Sequence, residues 1–215
     1  MAKKKSFQEK EIENLIKLVL EFRLLKYIPR ACLPYLKNIV PENIAEHTFY
    51  TVIFAWVLGK MEKEVNQEKI IKMALIHDLP EVRGGDKNLI NKFYSPPLNE
   101  LRIMEDIVKD YQLKDLEFLK LLKEFKKEKT KESKIVRDAD ILAQMLVEKE
   151  SIDVGNFKAK RWLSTSLKRL KTKNAKRLGK ALYEIDTDKW WLEIVKKYIL
   201  KTEFLSPHDP FFHLP

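Results

Sequence analysis

The stretch 71–86 brings one imidazole and three carboxylates together on an otherwise apolar segment. An apolar helical run ends in the adjacent pair His77-Asp78, and Glu81 follows three residues after Asp78. On a continuing helix these three side chains share one face. Burial of that helix would bring two potential metal ligands to the floor of a pocket. Four ionisable groups within ten residues of such a segment, Asp86 included, point to a functional role.

Two local features predict how this segment turns. Pro80 is expected to bend the helix, because its ring clashes with the turn behind it. Gly84-Gly85 then frees the backbone for a sharp turn. We therefore expect Asp86 to approach the pocket from the side opposite to His77 and Asp78.

Two further ionisable positions lie inside strongly apolar helical runs. One is His47, and the other is an aspartate at 138 or 140. A lone polar group would be costly to bury in such runs, and a shared divalent cation would offset that cost. Two imidazoles and two carboxylates suit Mn, Fe, Co, Ni or Zn better than Mg. Asp138 and Asp140 point to nearly opposite sides of a helix, so periodicity alone does not choose between them.

The elements that must position these residues are all helical. Asn43, with Glu46 three residues later, is typical of a helix N-terminus with a capping box. No segment shows the alternation of a strand. We predict one all-α domain over 1–215, with its core at about 8–200 and an irregular tail at 201–215. Apolar periodicity predicts helices over these ranges: 8–28, from 43, from 67, 98–111, 113–129, 131–150, 159–184 and 188–200.

Composition limits the class of protein. The chain has 215 residues, 45% of them apolar, and a single cysteine, so an internal disulfide is excluded. No run approaches the roughly 18 apolar residues of a membrane span, and the N-terminus lacks a signal-peptide core. A cytoplasmic protein is predicted. Residues 158–180 hold ten Lys and Arg and no acid. We interpret them as a solvated helix face rather than a nucleic-acid patch, because no recognition motif accompanies them.

The order of these motifs resembles the HD-domain metal-dependent phosphohydrolases, whose pattern is a His, then His-Asp, then a distant Asp. The matching segments here are Ala45-Glu46-His47, His77-Asp78 and Asp138-Ala139-Asp140-Ile141-Leu142. The family's pattern at the last motif is Ala-Asp-x-Leu, which matches Asp140 and not Asp138. The resemblance implies a helical HD-domain fold and four ligands for one divalent cation: His47, His77, Asp78 and Asp140.

A closer similarity is to the 5′-deoxynucleotidase branch of that family, the HD-domain-containing-2-like proteins. It rests on the segments Pro41–His47, His77–Glu81 and Gly85-Asp86. The resemblance implies that Glu81 and Asp86 assist the water and the phosphate chemistry, and that Arg30 contacts phosphate. Ala31 stands where that branch usually has a tryptophan beside the nucleotide.

This resemblance predicts a metal-dependent phosphomonoesterase that hydrolyses deoxynucleoside or nucleoside 5′-monophosphates to nucleoside and phosphate. It also implies a homodimer, with the aromatic C-terminal helices as an interface. Two alternatives stay open: another hydrolase on the same site, such as a phosphodiesterase or a nucleoside-triphosphate or alarmone hydrolase, and a non-catalytic protein that binds nucleotides or nucleic acid. The presence of Glu81 and Asp86 favours an enzyme, because binding alone needs no positioned proton acceptor.

Overall fold

The structure, a computed structural model, describes residues 7–37, 41–112 and 117–199. Within these ranges the chain is helical, and β pairing is limited to one isolated bridge between Pro29 and Asn43. The all-α prediction is confirmed. None of the helices in these ranges has both the length and the apolar character that a membrane span requires. The predicted tail at 201–215 lies outside the described residues.

Eleven α-helices are present in the described ranges, and two 3-10 helices, Arg23–Tyr27 and Leu33–Leu36, lie between α1 and α2. The first predicted helix therefore ends earlier than expected as an α-helix and continues as a 3-10 turn. The α-helices are α1 (Phe7–Phe22), α2 (Ile44–Met61), α3 (Gln67–Ile76), α4 (Glu81–Gly84), α5 (Leu89–Tyr94), α6 (Glu100–Asp110), α7 (Phe118–Lys127), α8 (Lys131–Asp153), α9 (Ala159–Arg169), α10 (Lys173–Glu184) and α11 (Lys189–Ile199).

Helices α2 and α8 form the centre of the fold. The side chain of Asn43 accepts a hydrogen bond from the Glu46 amide, and the Asn43 amide donates to Glu46 Oε2, both at 3.0 Å. This is the predicted capping box, and it fixes where α2 begins. Helix α8 packs against α2, α3, α7, α9 and α10, with Val136, Ala139 and Leu142 fully buried. Polar side chains on these two helices therefore face the interior of the protein.

The long basic helix predicted over 159–184 is wrong, because the chain breaks between α9 and α10. The carboxylate of Asp138 accepts hydrogen bonds from the backbone amides of Lys171 at 2.9 Å and Thr172 at 2.7 Å. These two bonds satisfy amides at the start of α10 that have no intrahelical partner. Leu170 is buried beside the break. A buried carboxylate on α8 thus stabilises a break that local periodicity does not indicate.

The continuous helix predicted across Pro80 is also wrong. Helix α3 ends at Ile76, residues 77–80 form a turn, and Pro80 becomes the N-cap of the short helix α4. Proline has no amide hydrogen to donate, and its ring clashes with the helical turn before it. The helix therefore ends before Pro80, and a new helix starts after it. Helix α5 was not predicted, because six residues are too few to show a helical period.

Candidate metal centre

His77 lies in the turn that follows α3, and its side chain is almost completely buried. Its Nδ1 lies 2.7 Å from the carbonyl oxygen of Ala74. A carbonyl oxygen can only accept, so Nδ1 carries the proton and the Nε2 of the neutral ring has a free lone pair. That Nε2 lies 3.1 Å from Asp78 Oδ2 and has no hydrogen-bond partner among the described residues. Two electron-pair donors therefore face each other in a buried position.

His47 enters the same space from α2. Its side chain is fully buried, and its Nε2 lies 3.1 Å from Asp140 Oδ1 and 3.9 Å from Asp78 Oδ2. The ring centroids of His47 and His77 are 5.9 Å apart. The structure therefore brings the four predicted ligands, which come from three separate parts of the sequence, to one place.

This arrangement fits a divalent cation. One ligand atom from each of His47, His77 and Asp78 lies within 4.8 Å of the others. Asp140 joins this group through its contact with His47, whereas Asp138 is used by the backbone at the start of α10. A shared cation would remove the repulsion between the His77 lone pair and the Asp78 carboxylate. Imidazole and carboxylate ligands in this number are those that bind transition metals.

The electrostatics of the site keep its carboxylates ionised. Burial raises the pKa of Asp78, but the positive charges that His77 and His47 carry when protonated hold the net pKa well below its usual range. Burial also raises the pKa of Asp140, and the hydrogen bond with His47 and the charges of both histidines lower it well below its ordinary value. Burial and the charge of Arg30 lower the pKa of His47, yet its hydrogen bond with Asp140 helps to raise the net pKa. The acids are thus ready to bind a cation.

Glu42 lies behind His47, on the side away from the site. Its Oε1 is 3.3 Å from His47 Nδ1, and its side chain is nearly buried. A carboxylate on the second nitrogen of a metal-binding histidine fixes which nitrogen carries the proton and how the ring is oriented. Glu42 is thus placed to orient the ring of His47 as the carbonyl of Ala74 orients that of His77, although its 3.3 Å contact lacks the geometry of a hydrogen bond.

Glu81 is the first residue of α4 and faces the same site. Its Oε2 is buried and forms no hydrogen bond to any residue that the structure describes. Burial raises the pKa of Glu81 to about 9, with further contributions from the charges of Asp78 and Asp86. A carboxyl group without a fixed partner, next to two other acids, is arranged to exchange a proton.

Asp86 follows a tight turn after α4. Gly85 makes this turn with φ 68° and ψ 158°, a conformation that is almost confined to glycine. Asp86 Oδ2 accepts a hydrogen bond of 2.8 Å from the backbone amide of Ala31. Asp86 therefore holds the segment that carries Arg30, while its negative charge contributes to the raised pKa of Glu81.

Arg30 reaches the centre from the segment before α2. Its Nη1 lies 3.5 Å from Asp78 Oδ2, and its Nη2 donates to Gln144 Oε1 at 3.2 Å. Burial lowers the pKa of Arg30, but the charges of Asp78, Asp140 and Asp86 outweigh burial and raise it, so the side chain stays protonated. A fixed positive charge thus lies beside the four ligands.

Two further residues, Glu42 and Gln144, support the site and are not among those predicted from the sequence. Gln144 lies four residues after Asp140 on α8, so the spacing of a helix face could have identified it. Glu42 precedes the N-cap of α2, where no periodicity applies. Its position depends on the bridge between Pro29 and Asn43 and on the hydrogen bond from the Arg30 amide to the Glu42 carbonyl, 2.9 Å long.

Comparison with known proteins then identifies the fold. The family model described as the HD domain matches residues 22–182. The chain belongs to the HD domain family. The match includes Arg30, the four clustered residues, Glu81 and Asp86, and it confirms the family resemblance found in the sequence.

Two relatives of this HD-domain chain are 5′-deoxynucleotidases. One, from Photorhabdus laumondii, is 31% identical over 136 residues, which cover 57% of this chain and 68% of the relative. The other, from Vibrio parahaemolyticus, is 26% identical over 157 residues, which cover 65% of this chain and 79% of the relative. Membership of the HD family and these relatives support hydrolase function.

Solved structures agree with this fold. A conserved hypothetical protein from Pyrococcus furiosus is 26% identical with a TM-score of 0.65, and the match covers 79% of this chain and 99% of that chain. A predicted metal-dependent phosphohydrolase from Magnetospirillum magnetotacticum is 21% identical with a TM-score of 0.62, and the match covers 82% of this chain and 93% of that chain. The second likeness shows the shared fold alone.

Proposed function

We propose that this HD-domain chain is a metal-dependent phosphomonoesterase that hydrolyses deoxynucleoside or nucleoside 5′-monophosphates to nucleoside and phosphate. The observation that carries the proposal is the buried His77 Nε2 facing Asp78 Oδ2 at 3.1 Å, next to His47 and Asp140. With the neutral His77 ring that pairing is repulsive, and a divalent cation between the two groups would make it favourable. The substrate class is supported by the two relatives named 5′-deoxynucleotidases.

One divalent cation would be held by His47, His77, Asp78 and Asp140. The two imidazoles favour Mn, Co, Ni, Fe or Zn over Mg, which binds through oxygen ligands. When bound, such a cation polarises a phosphate oxygen and lowers the pKa of a water molecule and of nearby carboxyl groups.

Glu81 is the proton acceptor in this proposal. Its Oε2 is free of hydrogen bonds within the described part of the chain, so it can take a proton from the attacking water. Its pKa of about 9 applies to the protein without added positive charge. A value that falls toward neutrality near a cation suits a group that first accepts this proton and later returns it to the leaving 5′-oxygen. Asp86 assists by its charge and by holding the Arg30 segment.

Arg30 neutralises the phosphate. Its guanidinium is positioned beside the ligands, and its 3.5 Å contact with Asp78 is too long for a strong hydrogen bond. The charge of Arg30 is therefore available to phosphate oxygens and to the negative charge that develops on them during attack.

The test is phosphate release from ribo- and deoxynucleoside 5′-monophosphates with Mn, Co, Ni, Zn and Mg, run beside Asp140→Ala and Glu81→Ala. Asp140→Ala should lose bound metal. Glu81→Ala should keep the metal and lose about a hundredfold to ten-thousandfold in rate, the usual range for a general base. A preference for a triphosphate or a diester would displace the proposal. Binding to nucleic acid without turnover in any metal would replace it with a non-catalytic function.

We also propose that the chain forms a homodimer in solution. Helices α1, α2 and α11 expose large apolar side chains, among them Ile16 at 57%, Phe49 at 60% and Trp190 at 66%. Large apolar side chains left exposed on helix surfaces are common at protein interfaces. Sedimentation equilibrium that gives a dimer would support this proposal, and a monomer at high concentration would contradict it. The single-domain organisation and the cytoplasmic location stay predictions.

A further inference from the structure

A second buried polar cluster lies beside the metal centre and has no part in the mechanism above. Gln144 and Glu148 follow Asp140 at intervals of four residues on α8, so all three lie along one face of that helix. Gln144 and Glu148 are 9% and 2% exposed. Polar side chains at such positions are costly unless their hydrogen bonds are satisfied. Their partners therefore show what the cluster is arranged to do.

A chain of hydrogen bonds connects Arg30 to α9 through Gln144 and Glu148. Gln144 Oε1 accepts from Arg30 Nη2 at 3.2 Å and faces the thiol of Cys32 at 3.7 Å. Gln144 Nε2 donates to Glu148 Oε1 at 3.2 Å. The same carboxylate oxygen accepts from the hydroxyl of Ser166 at 3.1 Å. Glu148 therefore connects the amide of Gln144 to α9.

The two ends of the Gln144 amide are chemically different. In the observed orientation the oxygen faces two donors, Arg30 and Cys32, and the nitrogen faces an acceptor, Glu148. After a flip of the amide, its NH₂ group would face the guanidinium and its oxygen would face the carboxylate, and both contacts would be repulsive. Glu148 thus fixes the orientation that lets Gln144 hold Arg30.

The remaining contacts of the guanidinium explain why this support matters. Arg30 Nε is buried without a hydrogen-bond partner in the described ranges, and Nη1 lies at 3.5 Å from Asp78. Gln144 supplies the hydrogen bond of ordinary length on this side chain. A neutral partner orients the guanidinium without neutralising the charge that a phosphate would need.

We propose that Glu148 is a positioning residue for phosphate binding, and that it acts through the Gln144 amide on Arg30. This inference rests on the proposed role of Arg30 in binding phosphate. Glu148 itself does not touch substrate. Its other near neighbours are Ser166 and Arg169 of α9 and the thiol of Cys32, and none of these is a metal ligand.

The experiment uses cobalt-loaded full-length protein and inorganic phosphate as the probe. Glu148→Met removes the acceptor at nearly constant length, and Glu148→Gln restores an acceptor oxygen without charge. We expect Glu148→Met to raise the Kd for phosphate about fivefold to thirtyfold, because the Gln144 amide is then no longer held in the orientation that positions Arg30. Glu148→Gln should recover most of the affinity. Bound metal, measured by elemental analysis, should be unchanged in both variants.

A double-mutant cycle separates positioning from a general structural effect. In an Arg30→Ala background, Glu148→Met should change the phosphate Kd by less than about twofold, because the residue it supports is gone. Gln144→Met should reproduce Glu148→Met and should also be silent in that background, which provides a second route if Glu148→Met folds poorly. Glu184→Gln, an exposed acid on α10, is the matched control and should have no effect.

The outcomes distinguish this inference from the proposed function. If the wild-type protein releases no phosphate from any nucleotide with any metal, the proposed function fails. The double-mutant cycle on phosphate binding still tests whether Glu148 acts through Gln144 on Arg30. If Glu148→Met weakens phosphate binding equally with and without Arg30, Glu148 does not act through Arg30 and the inference is wrong. An unchanged phosphate Kd in folded, metal-loaded Glu148→Met would also overturn it. With an active enzyme, KM for nucleotide should follow the phosphate Kd across the variants.

Discussion

Replacement of Glu148 by glutamine should make the folded protein more stable at alkaline pH. Glu148 is 2% exposed, and its Oε2 has no hydrogen-bond partner in the part of the chain that the structure describes. Glutamine has nearly the same shape and keeps an oxygen that can accept from Gln144 and Ser166. The substitution therefore removes the buried negative charge and leaves most of the packing unchanged.

The magnitude follows from the pKa of Glu148. Burial raises this pKa from 4.5 to about 7, and the hydrogen bonds from Ser166 and Gln144 and the charge of Arg169 oppose the increase. Because the folded state holds its proton to higher pH than the unfolded state, the free energy of unfolding decreases as pH rises between these two values. At about 1.4 kcal/mol per pKa unit, the wild-type carboxylate costs about 3 kcal/mol once both states are ionised.

The assay is urea unfolding followed by circular dichroism from about pH 4 to pH 8, with excess EDTA so that pH-dependent metal binding does not contribute. Glu148→Gln should be more stable than wild type by about 2–3 kcal/mol near pH 8. The difference should shrink as pH falls and approach zero near about pH 4 and below, where the carboxyl group is largely protonated in both states. Glu184→Gln, which changes an exposed acid, should show no such pH dependence.

Two results would refute this reasoning. If Glu148→Gln is no more stable than wild type near pH 8, the buried charge carries no cost. If its advantage is the same at low and high pH, the gain comes from packing rather than from ionisation.

Three further predictions concern residues around the site. Glu42→Gln should lower metal affinity about 10- to 100-fold in competition with a chromophoric chelator, because His47 Nδ1 loses its carboxylate partner; unchanged affinity would show that Glu42 does not orient the ring. Asp138→Asn should keep its bound metal but lose about 1–3 kcal/mol of unfolding free energy, because the Asn NH₂ group would face a backbone amide at the start of α10; loss of metal would contradict the placement of Asp138. Gly85→Ala should cost about 1–3 kcal/mol in urea unfolding, because its φ and ψ are almost confined to glycine. Open space surrounds the added methyl group, so a smaller cost would mean that the turn can relax.

The sequence was sufficient to predict the residues that meet at the metal centre, because each is a polar residue in an apolar helical run. Periodicity could not separate Asp138 from Asp140, and the structure explains why. Both side chains are largely removed from solvent, and each has a partner of its own: backbone amides for Asp138 and His47 for Asp140. The partners of Asp138 exist only because the chain breaks after α9, and local periodicity gives no sign of that break.

The supporting residues depend on contacts that are distant in sequence. Gln144 lies on the same face of α8 as Asp140, so helical spacing was sufficient to suggest it. Glu42 is brought to His47 by the pairing of Pro29 with Asn43, a contact between two irregular segments. Pro80 was expected to bend a helix, but the loss of its amide hydrogen ends α3 and starts α4. Local sequence patterns thus predict which helix faces are buried. They do not predict the caps and the contacts between segments that are distant in sequence.

The most direct test of the metal centre is an anomalous difference map from crystals of the zinc-loaded protein. One peak should lie between His47 Nε2 and His77 Nε2, at roughly 2.0–2.2 Å from each nitrogen and from a carboxylate oxygen of Asp78 and of Asp140. A map without a peak there, or with the metal bound at other residues, would contradict the assignment of these four side chains as ligands.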